Sequence, residues 1–283
     1  MNQFIKETTA ALIDCRKSNN YDQGHIKNAC SLPVAQLFAR MHELPKRQQK
    51  LILYGDKAEL KMSYDFLSKR GYQISEQIIW TDQLKQQLNQ SGQLEFGSRS
   101  KQLWKAAPLI RHFVKNIMPK HQIKAENGLD IACGAGRDLV YLAKQGWQML
   151  GVDRSMDSLQ RVATLANYQK VTVKTQQMNL ETDCNPFVDF ADHHFALICV
   201  ARYLHRPLFP AIKRLLKPNG ILIYQTFMSG CEKTAIGRPR NPKFLLKTGE
   251  LTSIFNDAEI LLDKIDYLED GRPVSAFIAQ MQS

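Results

Sequence analysis

A glycine-containing turn stands between a strand pattern and a helix pattern at residues 128–138. Its small residues Ala132, Gly134 and Gly136 allow the backbone to approach a ligand closely, and the following helix offers free N–H groups at its start. A second apolar strand ends at Asp153, nineteen residues after Gly134, where a carboxylate could accept both hydroxyls of a ribose. The turn alone would be compatible with a tight connection that binds nothing. The turn and the acid together predict a nucleotide-type ligand.

The residues around this turn favour one kind of nucleotide. A dinucleotide fingerprint places a third small residue three positions after Gly136, but Leu139 stands there. Asp130 adds a negative charge that would repel a pyrophosphate. S-adenosylmethionine has a ribose, an ammonium and a sulfonium but no phosphate, so it is the predicted cofactor.

The segment 129–136, together with Gly151-Val152-Asp153, resembles the first two motifs of class I S-adenosylmethionine-dependent methyltransferases. The resemblance implies that Asp130, Ala132, Gly134 and Gly136 surround the methionine part and that Asp153 holds the ribose.

Later segments extend the resemblance to about residues 100–283. Met178–Glu181 resembles the adenine-recognising segment, which implies contacts from Asn179 and Leu180, although the family usually has an acid in place of Asn179. Residues 195–201 resemble the fourth strand, which implies that Ala201 lies beside the transferable methyl group. The implied fold is a Rossmann-like α/β domain with a seven-stranded sheet and a terminal antiparallel hairpin.

Candidate catalytic groups follow this fourth strand. His205 is a candidate general base, Tyr203 a candidate positioning group, and Arg202 or Arg206 a candidate anion clamp. Methyl transfer needs a base only if the nucleophile is protonated, because the sulfonium is already activated. His205 is equally compatible with a capping position at the start of the next helix.

The region after the predicted fifth strand bears on the acceptor. Residues 245–251 resemble a segment of tellurite-resistance-type small-molecule methyltransferases, and the basic stretch 237–251 fits either a lid or an ordinary connector. No Asn/Asp-Pro-Pro-Tyr/Phe motif follows the fourth strand, which counts against methylation of an exocyclic amine. We therefore expect a small-molecule methyl acceptor.

The first ninety-odd residues alternate short strands with helices, as a small parallel α/β domain does. Residues 12–33 resemble the opening of a rhodanese-like domain, which implies a persulfide-forming cysteine directly after the strand at 51–54. Gly55 stands there, and residues 55–61 contain no cysteine. We expect this domain to be inactive and to dock a protein partner or to regulate, with Arg16 and His25 in structural roles.

Composition limits the remaining possibilities. The net charge is +11, and seven basic residues without an acid fall within 99–124, where spacing predicts an amphipathic helix over 103–118. An RNA or tRNA methyltransferase is therefore the second hypothesis, and a non-enzymatic ligand-sensing adaptor the third. The six cysteines show no zinc-ligand spacing, so we expect no metal. With no membrane-spanning run and no secretory signal, we expect a cytoplasmic protein with domains at 1–96 and 97–283.

Overall fold

The computed structural model describes residues 10–38, 40–182, 185–268 and 270–282. The chain divides into two compact units, residues 1–105 and residues 106–283.

This division falls nine residues beyond position 96, where we placed it. The intervening segment stays with the first unit because its backbone is tied there. The Gly97 amide donates to the Asp22 carbonyl at 2.8 Å, and the Lys101 amide donates to the Ala29 carbonyl at 3.0 Å. Glycine and serine around residues 97–100 therefore do not make this stretch a free linker.

The first unit is built on a four-stranded parallel sheet. The strands of this unit are β1 (Ala11–Asp14), β2 (His25–Ile26), β3 (Cys30–Ser31), β4 (Leu51–Gly55), β5 (Ile74–Ile79) and β6 (Leu94–Glu95), of which four form this sheet. Its helices are α1 (Ser18–Asp22), α2 (Lys57–Ser68) and α3 (Asp82–Gln90). The sheet order is β3-β1-β4-β5, and β2 pairs with β6 separately. The fully apolar β4 is buried along its whole length, whereas β5, at the sheet edge, alternates between half-buried and exposed residues.

The second unit is built on a seven-stranded sheet. Its strands are β7 (Asn127–Ile131), β8 (Gln148–Asp153), β9 (Lys174–Gln177), β10 (Phe195–Ala201), β11 (Leu216–Gln225), β12 (Ala258–Tyr267) and β13 (Pro273–Met281). Its helices are α4 (Pro108–His112), α5 (Met118–Lys120), α6 (Arg137–Lys144), α7 (Met156–Tyr168), α8 (Phe209–Leu215) and α9 (Glu250–Ile254).

The order of the larger sheet is β12-β13-β11-β10-β7-β8-β9. Strands β7 to β11 are parallel, and β13 runs antiparallel to both β11 and β12. The predicted Rossmann-like sheet with a terminal antiparallel hairpin is confirmed. The strand order reverses between β7 and β10, and a crevice for a ligand is expected at the carboxyl ends of these two strands.

Two predicted elements differ from the structure. The helix expected over 103–118 begins only at Pro108, because a residue before proline, here Ala107, favours extended backbone. The strand expected at 171–174 begins at Lys174, because the Val171 amide still caps α7 by donating to the Ala166 carbonyl at 3.0 Å.

Across residues 10–38, 40–182, 185–268 and 270–282, no helix is long and apolar enough to cross a membrane. Within the same ranges, no group of three or more His, Cys, Asp or Glu side chains could hold a metal ion.

Candidate active site

The turn between β7 and α6 occupies residues 132–136 at the carboxyl edge of the larger sheet. Ala132, Gly134 and Gly136 all have positive φ, at 57°, 53° and 76°. The Cys133 amide donates to the Val152 carbonyl at 3.0 Å, which ties the turn to β8. Gly136, the residue before α6, has no side chain that could cap the helix, so the amides of Arg137 and Asp138 at its start are not capped from this position.

The two glycines of this turn serve different purposes. A Cβ atom at Gly134 would meet no other atom within 4 Å, so this position faces open space. A Cβ atom at Gly136 would lie 2.7 Å from Val162 Cγ2, so glycine is required there for packing against α7. Gly151, which belongs to the Gly151-Val152-Asp153 motif, is also required for packing, because its Cβ would lie 2.7 Å from Leu139 Cδ2.

Asp153 stands at the end of β8 and holds the turn through its carboxylate. Its Oδ2 accepts a hydrogen bond from the Gly134 amide at 2.9 Å, and its Oδ1 accepts one from the Ser155 amide at 2.8 Å. Each carboxylate oxygen retains a second lone pair. The residue is half-buried, so both oxygens could still accept the hydroxyls of a bound ribose.

Asp130 lies beneath the turn, where it is 2% exposed. The Leu139 amide and the Cys199 thiol both donate to its carboxylate. Burial, followed by the nearby Asp138 carboxylate, raises the pKa of Asp130 well above its usual range. Asp130 therefore supports the turn from inside the protein.

The remaining predicted cofactor contacts lie at the ends of β9 and β10. The Met178 amide donates to the Asp153 carbonyl at 2.9 Å, which draws the 178–181 segment to the end of β8. Asn179 is exposed and Leu180 is buried in the core. Ala201 is the half-buried last residue of β10.

The three candidate catalytic residues do not share one environment. Arg202 is exposed, with φ at 60°. The Tyr203 hydroxyl is buried, and burial, followed by Glu181, raises the pKa of this phenol. His205 is half-buried directly before the short helical turn at Arg206–Leu208.

Arg206 is committed to the segment that follows the sheet. It pairs bidentately with Glu250, at 2.6 Å from Nε to Oε1 and 3.0 Å from Nη2 to Oε2. Its Nη1 donates to the Lys243 carbonyl at 3.0 Å, and its Nη2 donates to the Leu245 carbonyl at 2.9 Å. Arg206, which we named as a possible anion clamp, instead anchors residues 243–250 beside the site.

In the first unit, the end of β4 differs from the turn after β7. One residue, Asp56, separates Gly55 from the start of α2. Asp56 and Glu59 form a capping box, in which the Asp56 amide donates to Glu59 Oε2 at 3.3 Å. A Cβ at Gly55 would meet Arg16, Cys15 and Glu59 at 3.4–3.5 Å, so this position is already surrounded.

Arg16 and His25 hold the first unit together, as the sequence predicted. Arg16 pairs with Asp14 at 2.6 Å and donates to the Gly24 carbonyl at 2.8 Å. His25 stacks on Tyr21 with 3.7 Å between ring centroids. Both side chains are buried and engaged by the protein's own groups.

Comparison with known proteins agrees with this architecture. The family model described as a methyltransferase domain matches residues 129–220, and the model described as a rhodanese-like domain matches residues 1–79. The uncharacterized protein UNK4.09 of Schizosaccharomyces pombe is 24% identical over 319 aligned residues, which cover 95% of this chain and 92% of that protein.

Two further proteins match part of the chain. The ubiquinone biosynthesis O-methyltransferase of Histophilus somni is 28% identical over 103 residues, and the match covers 35% of this chain and 43% of that enzyme. The structure of TehB from Haemophilus influenzae is 17% identical with a TM-score of 0.47, over 59% of this chain and 61% of that chain.

The sheet order, the strand-end turn and the methyltransferase-domain match define an S-adenosylmethionine-dependent methyltransferase. More particularly, the chain joins a rhodanese-like domain to the front of that methyltransferase domain. The methyltransferase domain implies S-adenosylmethionine as the cofactor, and the prediction of both domains is confirmed.

Proposed function

We propose that this methyltransferase acts on a small-molecule acceptor that binds at the carboxyl ends of β10 and β11. The observation that carries this proposal is the open turn at Gly134 beside Asp153, at the same sheet edge as the end of β10. The anchored segment 243–250 supports it further, because it adds a fixed wall near that strand end.

The cofactor half of the site would be built from the first strands of the larger sheet. Asp153 would accept the ribose hydroxyls, while Asn179 and Leu180 would flank the adenine. Gly134 would lie against the methionine part, because its open side leaves room for a ligand. Ala132, Gly136 and the buried Asp130 would shape the turn that makes this possible.

The acceptor half would follow β10. Ala201 would lie beside the methyl group, Tyr203 would position the cofactor or the acceptor, and His205 would accept a proton from a protonated nucleophile. Approach in line with the sulfonium and exclusion of water would supply much of the rate.

The basic stretch gives less support to a nucleic-acid substrate than its composition suggests. Its residues are not all on one helix, because the helical stretch covers only residues 108–120, where a π-helical turn at Phe113–Ile117 joins α4 to α5. Three of the seven basic residues, Arg99, Lys101 and Lys105, precede this helix and belong to the first unit.

For the rhodanese-like domain we infer a docking or regulatory role without sulfurtransferase chemistry. No cysteine occurs in residues 55–61, and no other side chain there can carry a sulfane sulfur. The surrounded position of Gly55 supports this inference.

The decisive experiment measures S-adenosylmethionine binding to the full chain by calorimetry. Asp153→Ala should weaken binding by about 3 kcal/mol, since hydrogen bonds to a charged group contribute roughly 1.5–3 kcal/mol each. Asp157→Ala is the matched control, because Asp157 is an exposed acid in the first turn of α7. Equal affinity of wild type and Asp153→Ala would contradict the proposed ribose contact. A labelled-methyl screen on small-molecule extracts would then identify the acceptor.

A further inference from the structure

Two arginines at the carboxyl edge of the larger sheet have unused side chains. Arg137 is the first residue of α6, and Arg202 directly follows β10. Both are exposed, and within residues 10–38, 40–182, 185–268 and 270–282 neither guanidinium has a hydrogen-bond or ion-pair partner. Two other arginines of this unit are engaged by acids: Arg206 by Glu250, and Arg214 by Asp192.

The topology explains why the two arginines lie together. Strands β7 and β10 are neighbours, with Ile131 opposite Val200, so the residues that follow them emerge at the same edge. Partial burial of the Arg202 side chain, followed by the positive charge of Arg137, lowers the pKa of Arg202.

The backbone holds Arg202 in a constrained position. Its φ of 60° is uncommon for a residue with a side chain, and its amide donates to the Gln225 carbonyl at 2.6 Å. Backbone strain of this kind persists where the surrounding structure enforces it, and it is concentrated at ligand-binding sites. The constraint fixes where the guanidinium leaves the strand end.

The nearby acids leave the pair with a positive surplus. Asp138 lies close to both arginines, but its Oδ1 accepts the Ala107 amide at 2.6 Å, and burial raises its pKa. Asp270 is occupied by Arg272, with 2.8 Å between Nη2 and Oδ2. The positive charges of Arg137 and Arg202 are therefore opposed by one nearby carboxylate, that of Asp138, which already accepts a hydrogen bond from the Ala107 amide.

We propose that Arg137 and Arg202 together bind an oxyanion group, a carboxylate or a phosphate, of the methyl acceptor. The planar guanidinium is suited to such groups because it donates two parallel hydrogen bonds. Arg202 follows Ala201, so an anion held there lies next to the strand end at which the proposed function places methyl transfer. The inference rests on that proposed function and narrows its substrate to an anionic small molecule.

The test titrates inorganic phosphate into the full chain at constant ionic strength, with and without saturating S-adenosylhomocysteine. The Nε–Hε signals of ¹⁵N-labelled arginine report binding. We expect saturable shifts of two arginine signals with the cofactor product bound. Arg137→Gln and Arg202→Gln should each weaken phosphate binding about tenfold. Arg161→Gln removes the same charge from α7, where Arg161 pairs with Asp157, and should change nothing.

A second measurement separates the acceptor from the methionine carboxylate of the cofactor. Wild type and Arg202→Gln are compared for binding of S-adenosylmethionine and of its decarboxylated analogue. We expect equal affinity of the two proteins for both compounds. If Arg202→Gln weakens only the carboxylated compound, the arginines hold the cofactor and the proposal is overturned.

The remaining outcomes are also distinct. Absence of a saturable phosphate shift overturns the anion site while leaving the methyltransferase assignment intact. Failure of wild type to bind S-adenosylhomocysteine contradicts the proposed function, and the phosphate titration on the free protein still tests the arginine pair.

Discussion

Each unit of the chain contains a buried strand that leads into a helix through a turn, yet the two turns differ in what they leave free. After β4, one residue intervenes and the capping box satisfies the start of α2. After β7, five residues intervene and Gly134 faces open space. A strand-to-helix connection can bind a ligand only where the space beside its backbone is left free. The first turn is closed by its own side chains, and the second is kept open by glycine.

The largest expected effect tests how the open turn is maintained. Gly136→Ala should destabilise the fold by about 2–3 kcal/mol, because a left-handed alanine and a Cβ pressed against Val162 both cost energy. Gly134→Ala should cost only about 1 kcal/mol of stability, from its backbone conformation alone. Its Cβ would enter the open side, so S-adenosylmethionine affinity should fall more than stability does.

Denaturant unfolding and calorimetry check these two variants side by side. If both lose stability equally and Gly134→Ala binds the cofactor as wild type does, the space at Gly134 is not a ligand site and the contrast with Gly55 disappears.

A smaller effect concerns residues 243–250, the segment that Arg206 anchors near the end of β10. Burial alone would raise the pKa of Glu250, but hydrogen bonds from Arg206 and the Lys247 amide lower it below its usual value. The pair therefore stabilises the fold above the ordinary glutamate pKa of about 4.5, and its contribution is lost as pH falls through the lower folded value. Glu250→Gln should cost about 1 kcal/mol at pH 7, since the pair is only partly buried.

Unfolding free energies measured from pH 7 down to pH 3 should show the Glu250→Gln difference shrinking over the acid range. Glu259→Gln is the control, because Glu259 is an exposed acid on β12. A difference that stays constant with pH would mean that the ion pair does not anchor residues 243–250.

The last variant is expected to leave sulfurtransferase activity unchanged. Gly55→Cys should leave the full chain without thiosulfate:cyanide sulfurtransferase activity, as wild type is expected to be. A thiol there would meet Arg16 and Glu59, and the capping box would leave no backbone cradle for a persulfide. Turnover by this variant, measured beside an active rhodanese as a positive control, would show that the closed turn can reopen.

Much of this architecture could be predicted because strands and turns depend mainly on residues that are neighbours in the sequence. The apolar run 195–201 gave the bounds of β10, and the alternation of glycine and small residues gave the turn after β7. The Arg206–Glu250 pair escaped prediction because its members are 44 positions apart, and nothing in either segment names its partner. The closed turn at Gly55 was equally hidden, since the side chains that surround it include Cys15 and Arg16 from another strand end.

The reversal of strand order between β7 and β10 has a consequence for how this protein can diversify. Residues 127–177 form β7, β8 and β9 on one side of the reversal, and residues 195–281 form the other four strands. A single connection, between β9 and β10, joins the two sets along the chain. If the crevice is divided as the proposed function has it, recombination within that connection would exchange the acceptor half as a block and leave the cofactor half unchanged.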